Sequence, residues 1–288
     1  SFFKKKSSEG IAHTFQRRLL SCIVVAYLIT STFTLILQNG MAQIETQKVF
    51  TVAINDVEAA VRSKSNHQLL EIAEQVKVDY EKDPTVSLSD LTVKYGIKEI
   101  NIVAPGGIIK NSTEADSINY DMNSKAQSKE FVDVLKVQDS FVQDYSPRGK
   151  DETVWRKYAA VDLTDGGFIQ VGYDAEQFHT MLDEFVIDVT KNRHVGTSGF
   201  VAVLDEQLCM VIDNDYAGKH ISSIGIDPPE EMKQGQTASE LYNADVVDGI
   251  SDVSVEYMYV FKFVEGYCLI AAMPVNEAMF MRDASMLT

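Results

Sequence analysis

From Leu19 to Leu37 the chain runs nineteen residues without a charge, LLSCIVVAYLITSTFTLIL. As a helix rising about 1.5 Å per residue, that run is long enough to cross a hydrocarbon core of about 30 Å. Arg17 and Arg18 stand directly before it, with Lys4, Lys5 and Lys6 further upstream, and Gln38, Asn39, Gln43 and Glu45 follow it. The positive-inside bias puts the N-terminus in the cytoplasm and residues 38–288 outside. A cleaved signal peptide is the rival reading, because Gly40-Met41-Ala42 resembles a small-residue cleavage site. A signal's apolar region runs about 7–15 residues, so the length favours an uncleaved membrane anchor.

The charge distribution supports that division. Residues 1–18 hold five bases and one acid, Glu9, a balance of +4, while the whole chain carries −16, so the remainder carries −20. An acidic body with a small basic head argues against nucleic-acid binding, which needs clustered Lys and Arg. Hydrophobic residues at 45% and charged residues at 24% leave ample material for a core and exclude a disordered chain. The chain starts at Ser1, and Pro274 is followed by Val275, Ala278, Met279, Met281 and Met286, a helical pattern that begins and is not capped. Further chain is expected at both ends, with a second membrane segment after the helix at 275–288.

Residues 38–82 hold no proline and one glycine, and apolar or small residues recur at Ile54, Val57, Val61, Ser65, Gln68/Leu69, Ile72, Val76 and Tyr80. That spacing predicts a long amphipathic helix, a stalk whose stripe suits packing on a domain, on a second copy, or both. Asp83-Pro84 ends it. Strands are expected at Glu99–Val103, Ile108–Lys110, Ser140–Tyr145, Val154–Asp162 and Gly167–Tyr173, with helices at Ser124–Lys136 and Ala175–Asn192. The order then recurs: Gly199–Asp205 and Leu208–Ile212 as a hairpin, polar sequence to about residue 250, then strands Val253–Lys262 and Tyr267–Met273. The halves superpose with Asn101-Ile102-Val103-Ala104 on Val201-Ala202-Val203-Leu204, and Gly167-Phe168-Ile169-Gln170-Val171 on Gly266-Tyr267-Cys268-Leu269-Ile270. Two copies of one α/β module is the economical explanation.

A basic start, one membrane helix, a long stalk and two tandem modules resemble the double-Cache extracellular sensor domain of bacterial transmembrane receptors. Gly196-x-Ser198-Gly199-Phe200-Val201-Ala202-Val203-Leu204-Asp205, with Asp213-Asn214 and Tyr216-x-Gly218-Lys219 after the hairpin, is the most typical stretch. The resemblance covers roughly residues 38–280. It implies an α+β fold with a PAS-like antiparallel sheet in each module. The expected divisions are a cytoplasmic start at 1–18, a membrane helix at 19–37, a stalk at 38–82, a membrane-distal module at 83–192 and a membrane-proximal one at 193–274. It also implies a cytoplasmic effector beyond the second membrane segment.

In this family the ligand usually sits in the distal module, and in amino-acid-binding members an Asp ending the last distal strand holds the amine. The matching residue is Asp174, beside Tyr173, which could cover a ligand's carbons. The competing role is capping the helix that starts at Ala175. The Arg-x-Trp and Tyr motif that grips the carboxylate in those members is absent here, leaving Tyr120, Asp121, Asp144, Tyr145, Trp155, Arg156 and Tyr158 as candidates. On one strand, Trp155 and Lys157 point to one side and Arg156 and Tyr158 to the other. Either pair could face a pocket, and Trp155 could equally anchor the core.

Other chemistry finds little support. Asp213-Asn214-Asp215 departs from a calcium loop at Ala217 and lacks the closing Glu, so a polar turn is expected. The five histidines show no metal spacing, and no nucleophile elbow or phosphate-binding glycine loop occurs. No cofactor, metal or catalysis is expected. Cys209 and Cys268 lie in strand-like runs and could pair, but two small hydrophobes is the better fit. The reading is a bacterial membrane receptor's ligand-sensing part, binding a small amino acid, amine or carboxylate and dimerising in parallel through its stalk. An exported, anchored attachment module without signalling output is the alternative.

Overall fold

The computed structural model describes residues 2–247 and 253–285, without the side chains of 2–19, 22, 38, 39, 41–43 and 281–285. The basic cluster at 4–18, the Cys22 thiol, Met41-Ala42, Met281 and Met286 therefore lie outside the described side chains. The described chain has six α-helices and eleven strands. Two compact units emerge, residues 1–49 with 276–288, and Phe50–Val275.

In the first unit, helix α1 (Phe2–Lys82) begins and α6 (Val275–Ser285) ends the described chain. Among the described residues no helix is long and apolar enough to cross a membrane. With the side chains of Leu19 and Cys22 outside the description, the continuous part of the uncharged run with described side chains is 23–37. Its large side chains, Ile23, Tyr27, Leu28, Phe33 and Ile36 among them, are all more than half exposed. Its threonines bond inward: Thr30, Thr32 and Thr34 each donate to the carbonyl four residues earlier at 2.8 Å.

In the second unit, α1 buries Phe50, Ile54, Val57, Val61, Ser65, Leu69, Ala73 and Val76, one face at steps of three and four. Ala73 is buried where Ile72 was expected. Because this chain's own modules cover the stripe, it is not available to a second copy. A dimer along the stalk would have to use the opposite face, where Val52 and Val78 are exposed. Helix α2 (Leu88–Tyr95) follows, capped by the Ser87 hydroxyl and by Gly96 in the left-handed region at φ 65°.

The first module is an antiparallel sheet of β1 (Glu99–Val103), β2 (Ile109–Ser112), β3 (Ser140–Val142), β4 (Ser146–Pro147), β5 (Trp155–Asp162) and β6 (Phe168–Tyr173), with α3 (Ala126–Val134) beside it. Its order is β2-β1-β6-β5-β3, with β4 on β5. Helix α4 (Ala175–Thr190) leads to β7 (His194–Val195), β8 (Gly199–Leu204), helix α5 (Glu230–Lys233), β9 (Tyr242–Val247), β10 (Ser254–Val264) and β11 (Tyr267–Pro274). The second sheet, β7-β8-β11-β10-β9, is also antiparallel. The expected return strand at 208–212 is reduced to single bridges, Leu204 with Met210 and Cys209 with His220. Strand β9 occupies sequence expected to be loop; its alternation of half-buried Tyr242, Ala244 and Val246 with exposed neighbours carries the signal. Both cysteines are free; Cys268 is buried and Cys209 only half-buried.

The two modules do correspond, but one residue away from the sequence superposition. Val103, Asn101 and Glu99 pair with Phe168, Gln170 and Gly172. In the second sheet Leu204, Ala202 and Phe200 pair with Cys268, Ile270 and Ala272. Val103 and Phe168 face one core; Leu204 and Cys268 face the other. Asn101 thus matches Ala202, not Val201, and a one-residue slip exchanges the faces of a strand. Strands β1, β6 and β11 are buried on both sides, so their sequences show no alternation from which to set the face.

The stalk and both modules meet at one buried ion pair. Lys157 Nζ lies 2.6 Å from Glu265 Oε1, with both side chains fully buried. Lys157 also donates to Asn66 Oδ1 of α1 at 2.7 Å, and Glu265 Oε2 accepts the Tyr145 backbone N–H at 2.8 Å. Around them Arg62 pairs with Glu58 and Asp144, and Lys262 pairs with Glu58. Glu265 and Gly266, at φ 53° and 81°, form the two-residue turn between β10 and β11. Positive φ at both central positions suits such hairpins, and here it aims the carboxylate into the junction. Losing one partner of a buried pair strands the other charge, at a cost of about 3–5 kcal/mol. Glu265→Gln or Lys157→Met should lower unfolding free energy by that amount in urea titrations of the full chain. The double variant Lys157→Met/Glu265→Leu should recover most of the loss.

Candidate functional site

The first sheet turns an unusual set of side chains inward. Glu99 and Asn101 of β1, Gln170 of β6, and Arg156 and Tyr158 of β5 share the face that packs toward α3. The loop after β4 adds Arg148, the segment before α3 adds Ser117 and Tyr120, and α3 itself adds Ser128. Glu99 is 1% exposed. Its Oε1 accepts from Asn101 Nδ2 at 2.9 Å and from Arg148 Nη2 at 3.3 Å, and its Oε2 accepts from Tyr158 Oη at 2.8 Å. Arg156 Nε lies 3.6 Å from that Oε2, too far for a hydrogen bond, and is buried without an acceptor. Asn101 also donates to Gln170 Oε1 at 2.9 Å and accepts from Ser112 Oγ at 2.6 Å.

Local folding fixes these positions. A Cβ on Gly172 would stand 2.6 Å from the Tyr158 ring, so this glycine lets the ring lie across β6 and its hydroxyl reach Glu99. Burial, then the Glu99 charge, raises the Tyr158 pKa well above its ordinary value, so the phenol remains a donor. Arg148 is held by its backbone N–H to Val154 O at 2.8 Å and by Nη2 to Ser117 Oγ at 2.8 Å. Two guanidinium groups facing one carboxylate leave the site with a surplus positive charge. The enclosed space is about 30 Å³, enough for one or two waters. A larger guest would have to move the Arg148 loop or the Tyr120–Ser128 segment.

The second module shows what this face looks like without a polar role. At the positions matching Glu99, Asn101 and Gln170 it carries Phe200, Ala202 and Ile270, and opposite Arg156 and Tyr158 it carries Tyr257 and Tyr259. Hydrophobic residues fill the core there.

Of the nine residues singled out from sequence, Tyr120 and Tyr158 line this cavity and Arg156 stands beside its Glu99, while Asp121 accepts the Asn123 backbone N–H at 2.9 Å. Asp144, Tyr145 and Trp155 line a separate cleft between the modules, on the side of β5 that carries Lys157. Arg156 and Tyr158 thus lie on the Glu99 side of that strand, and Trp155 and Lys157 on the other. Tyr173 is buried on the α1 side, its phenol pushed up to about 12 by burial. Asp174 caps α4 in a capping box: its Oδ1 accepts the Gln177 N–H at 2.8 Å, and Gln177 Oε1 accepts the Asp174 N–H at 3.3 Å. Among Asp213–Asp215, Asn214 makes a turn by accepting the Tyr216 N–H. Sequence reasoning missed Glu99, Asn101, Gln170 and Arg148. The available signal was Glu99-x-Asn101, two polar residues at strand spacing inside an apolar run.

No family profile and no curated protein sequence matches the chain. Among solved structures, it is similar to the ligand-binding domain of Mlp24 with asparagine, at 13% identity over 84% of this chain and 99% of that one, TM-score 0.39. It is also similar to the ligand-binding domain of the Campylobacter jejuni chemoreceptor Tlp3 with 4-methylisoleucine, at 10% identity over 82% and 94%, TM-score 0.41. A third is the ligand-binding domain of the Pseudomonas aeruginosa PAO1 amino acid chemoreceptor PctC with GABA, at 10% identity over 80% and 99%, TM-score 0.33. Those ligands belong to those proteins.

Losing an N-cap carboxylate costs about 1 kcal/mol. Asp174→Ala should lower the unfolding free energy by that amount, as urea titration of the full chain will show.

Proposed function

We propose that this chain is the ligand-sensing part of a membrane receptor and binds a small molecule bearing a carboxylate in the cavity of its first module. The observation that carries the reading is the contrast between two matching sheet faces. One buries Glu99, Asn101, Gln170, Arg148 and Arg156, where its twin buries hydrocarbon. Burying charge is costly unless each group is paired, and a core built only for stability would resemble the second module. The polar face suits recognition. A ligand carboxylate would take Arg148 and Arg156, including the unpartnered Nε, in the planar geometry guanidinium favours. A ligand ammonium would take the Glu99 carboxylate so released, making a small amino acid the best fit.

The same reading makes residues 19–37 the membrane anchor, with the N-terminus cytoplasmic and the modules outside. A helix apolar on all sides is at home in lipid, and hydroxyls bonded to carbonyls of their own helix suit that setting. Thr30, Thr32 and Thr34 are bonded in this way. Ligand entry would shift β5, whose Lys157 holds the stalk and the second module, and the shift would travel along α1 to the membrane. Only a ligand that binds one arrangement better than another could drive this.

Thermal unfolding of the full chain in mild detergent, against amino acids and plain carboxylates, tests the reading. Ligand at 100 times its Kd should stabilise by about 2.7 kcal/mol. Arg148→Ala should weaken binding at least tenfold. Glu99→Gln should weaken an amino acid but tighten a plain carboxylate, which no longer competes with Glu99 for the arginines. Absence of stabilisation by any of these compounds, or stabilisation indifferent to Arg148→Ala, would remove the proposal.

A further inference from the structure

The cleft between the two modules, on the far side of β5 from the cavity, has a volume of about 670 Å³. Trp155, the only tryptophan of the chain, is 42% exposed in it. Its ring lies 5.3 Å from that of Tyr145, which stacks on Phe178 at 4.9 Å and 13°. Tyr145 is 5% exposed, and its buried hydroxyl has no well-aligned hydrogen bond, its polar neighbour being the Glu206 carboxylate. Burial and the neighbouring Glu206 carboxylate raise its pKa, so it keeps its proton. Buried hydroxyls are ordinarily bonded, and here the neighbouring acceptor is Glu206, so phenol and carboxylate form one polar spot on an aromatic wall.

The charges of the cleft sort themselves by partner. Glu265 is committed to Lys157, Asp144 pairs with Arg62, and Lys233 lies 3.0 Å from Glu230. That leaves Glu206, on the turn after β8, 38% exposed. Its neighbour is His179 Nε2 at 3.7 Å, which neutralises it only when protonated. A Cβ on Gly266 would meet both the Tyr145 ring, at 3.0 Å, and Glu206 Oε1, at 3.3 Å. The carboxylate, the phenol and the indole thus converge on one wall. Aromatic faces beside a carboxylate bind organic cations, which gain ring-quadrupole attraction together with charge pairing. A chain of net charge −16 also concentrates cations near its surface.

We propose that this cleft is a second binding site, for a small organic cation, with Glu206 taking the charge and Trp155 and Tyr145 covering the carbon body. The site is separate from the first-module cavity, from which the strand itself divides it. Occupation would rest against Glu265 and so bear on the pair that holds the stalk.

Trp155 is a built-in reporter. The full chain in mild detergent is titrated with tetramethylammonium, choline and n-butylammonium chlorides, with sodium chloride at equal ionic strength as the control. The expected result is a saturable change in tryptophan emission for at least one organic cation and none for sodium. Glu206→Gln should weaken it at least tenfold. Glu206 is a half-exposed turn residue, so the variant should keep its far-ultraviolet circular dichroism. Tyr145→Phe, which removes only the hydroxyl, should weaken it severalfold and serves as the readout if Glu206→Gln misfolds. Arg148→Ala should leave it unchanged, which separates this site from the cavity. A response that is absent, that matches sodium, or that survives both cleft variants overturns the proposal; so does one abolished by Arg148→Ala.

Discussion

The ion pair between Lys157 and Glu265 is the point on which the architecture turns. Neither charge is stable alone in a dry interior, and each comes from a different module. Asn66 brings α1 to the same spot, and the Tyr145 backbone is fastened to the Glu265 carboxylate. Three bodies are thereby required to meet in one geometry, since a displacement of any one leaves a charge or a donor unmatched. Directional, charge-assisted bonds specify an arrangement where greasy contact alone would tolerate sliding. The surrounding pairs of Arg62, Glu58 and Lys262 extend the clasp over partly solvated surface, where each adds little.

The two modules show one backbone plan put to two uses. The second has a continuous apolar core, Leu204, Phe261, Cys268 and Ile270 among its members, and reads as scaffold. The first gives up part of that core to a polar group centred on Glu99. Such a face forgoes hydrophobic stabilisation, about 25 cal/mol per Å² of apolar surface. The stripe of α1, with Val57, Val61, Leu69 and Val76, supplies further buried apolar surface in the same unit.

Much of the framework was legible. The helix that Asp83-Pro84 ends, β1, β5, β6 and α4 follow from periodicity and turn residues because those signals are local. The polar site was not, because its bonds join residues far apart: Asn101 reaches Gln170 across 69 positions, and Arg148 reaches Glu99 across 49. A strand buried on both sides gives no sign of which face meets which partner, and for that reason the superposition of the halves slipped by one residue. For Asp174 the local signal accounts for the bonds it makes. A carboxylate before a helix is explained by its first-turn N–H groups, and the capping box with Gln177 is a complete account of its bonds. Helix α2 was overlooked although Ser87 and Gly96 mark both its ends.

Strand β5 sends Arg156 and Tyr158 to the cavity while Lys157 between them grips the stalk. Its sequence can therefore drift only in kind, never in length. Deleting one residue would carry the lysine into the cavity and the arginine and tyrosine toward α1, undoing the polar face and the assembly in one event. Insertions and deletions among descendants of this chain should thus be confined to segments such as residues 213–241, with β5 kept at constant length even where every other letter of it has changed.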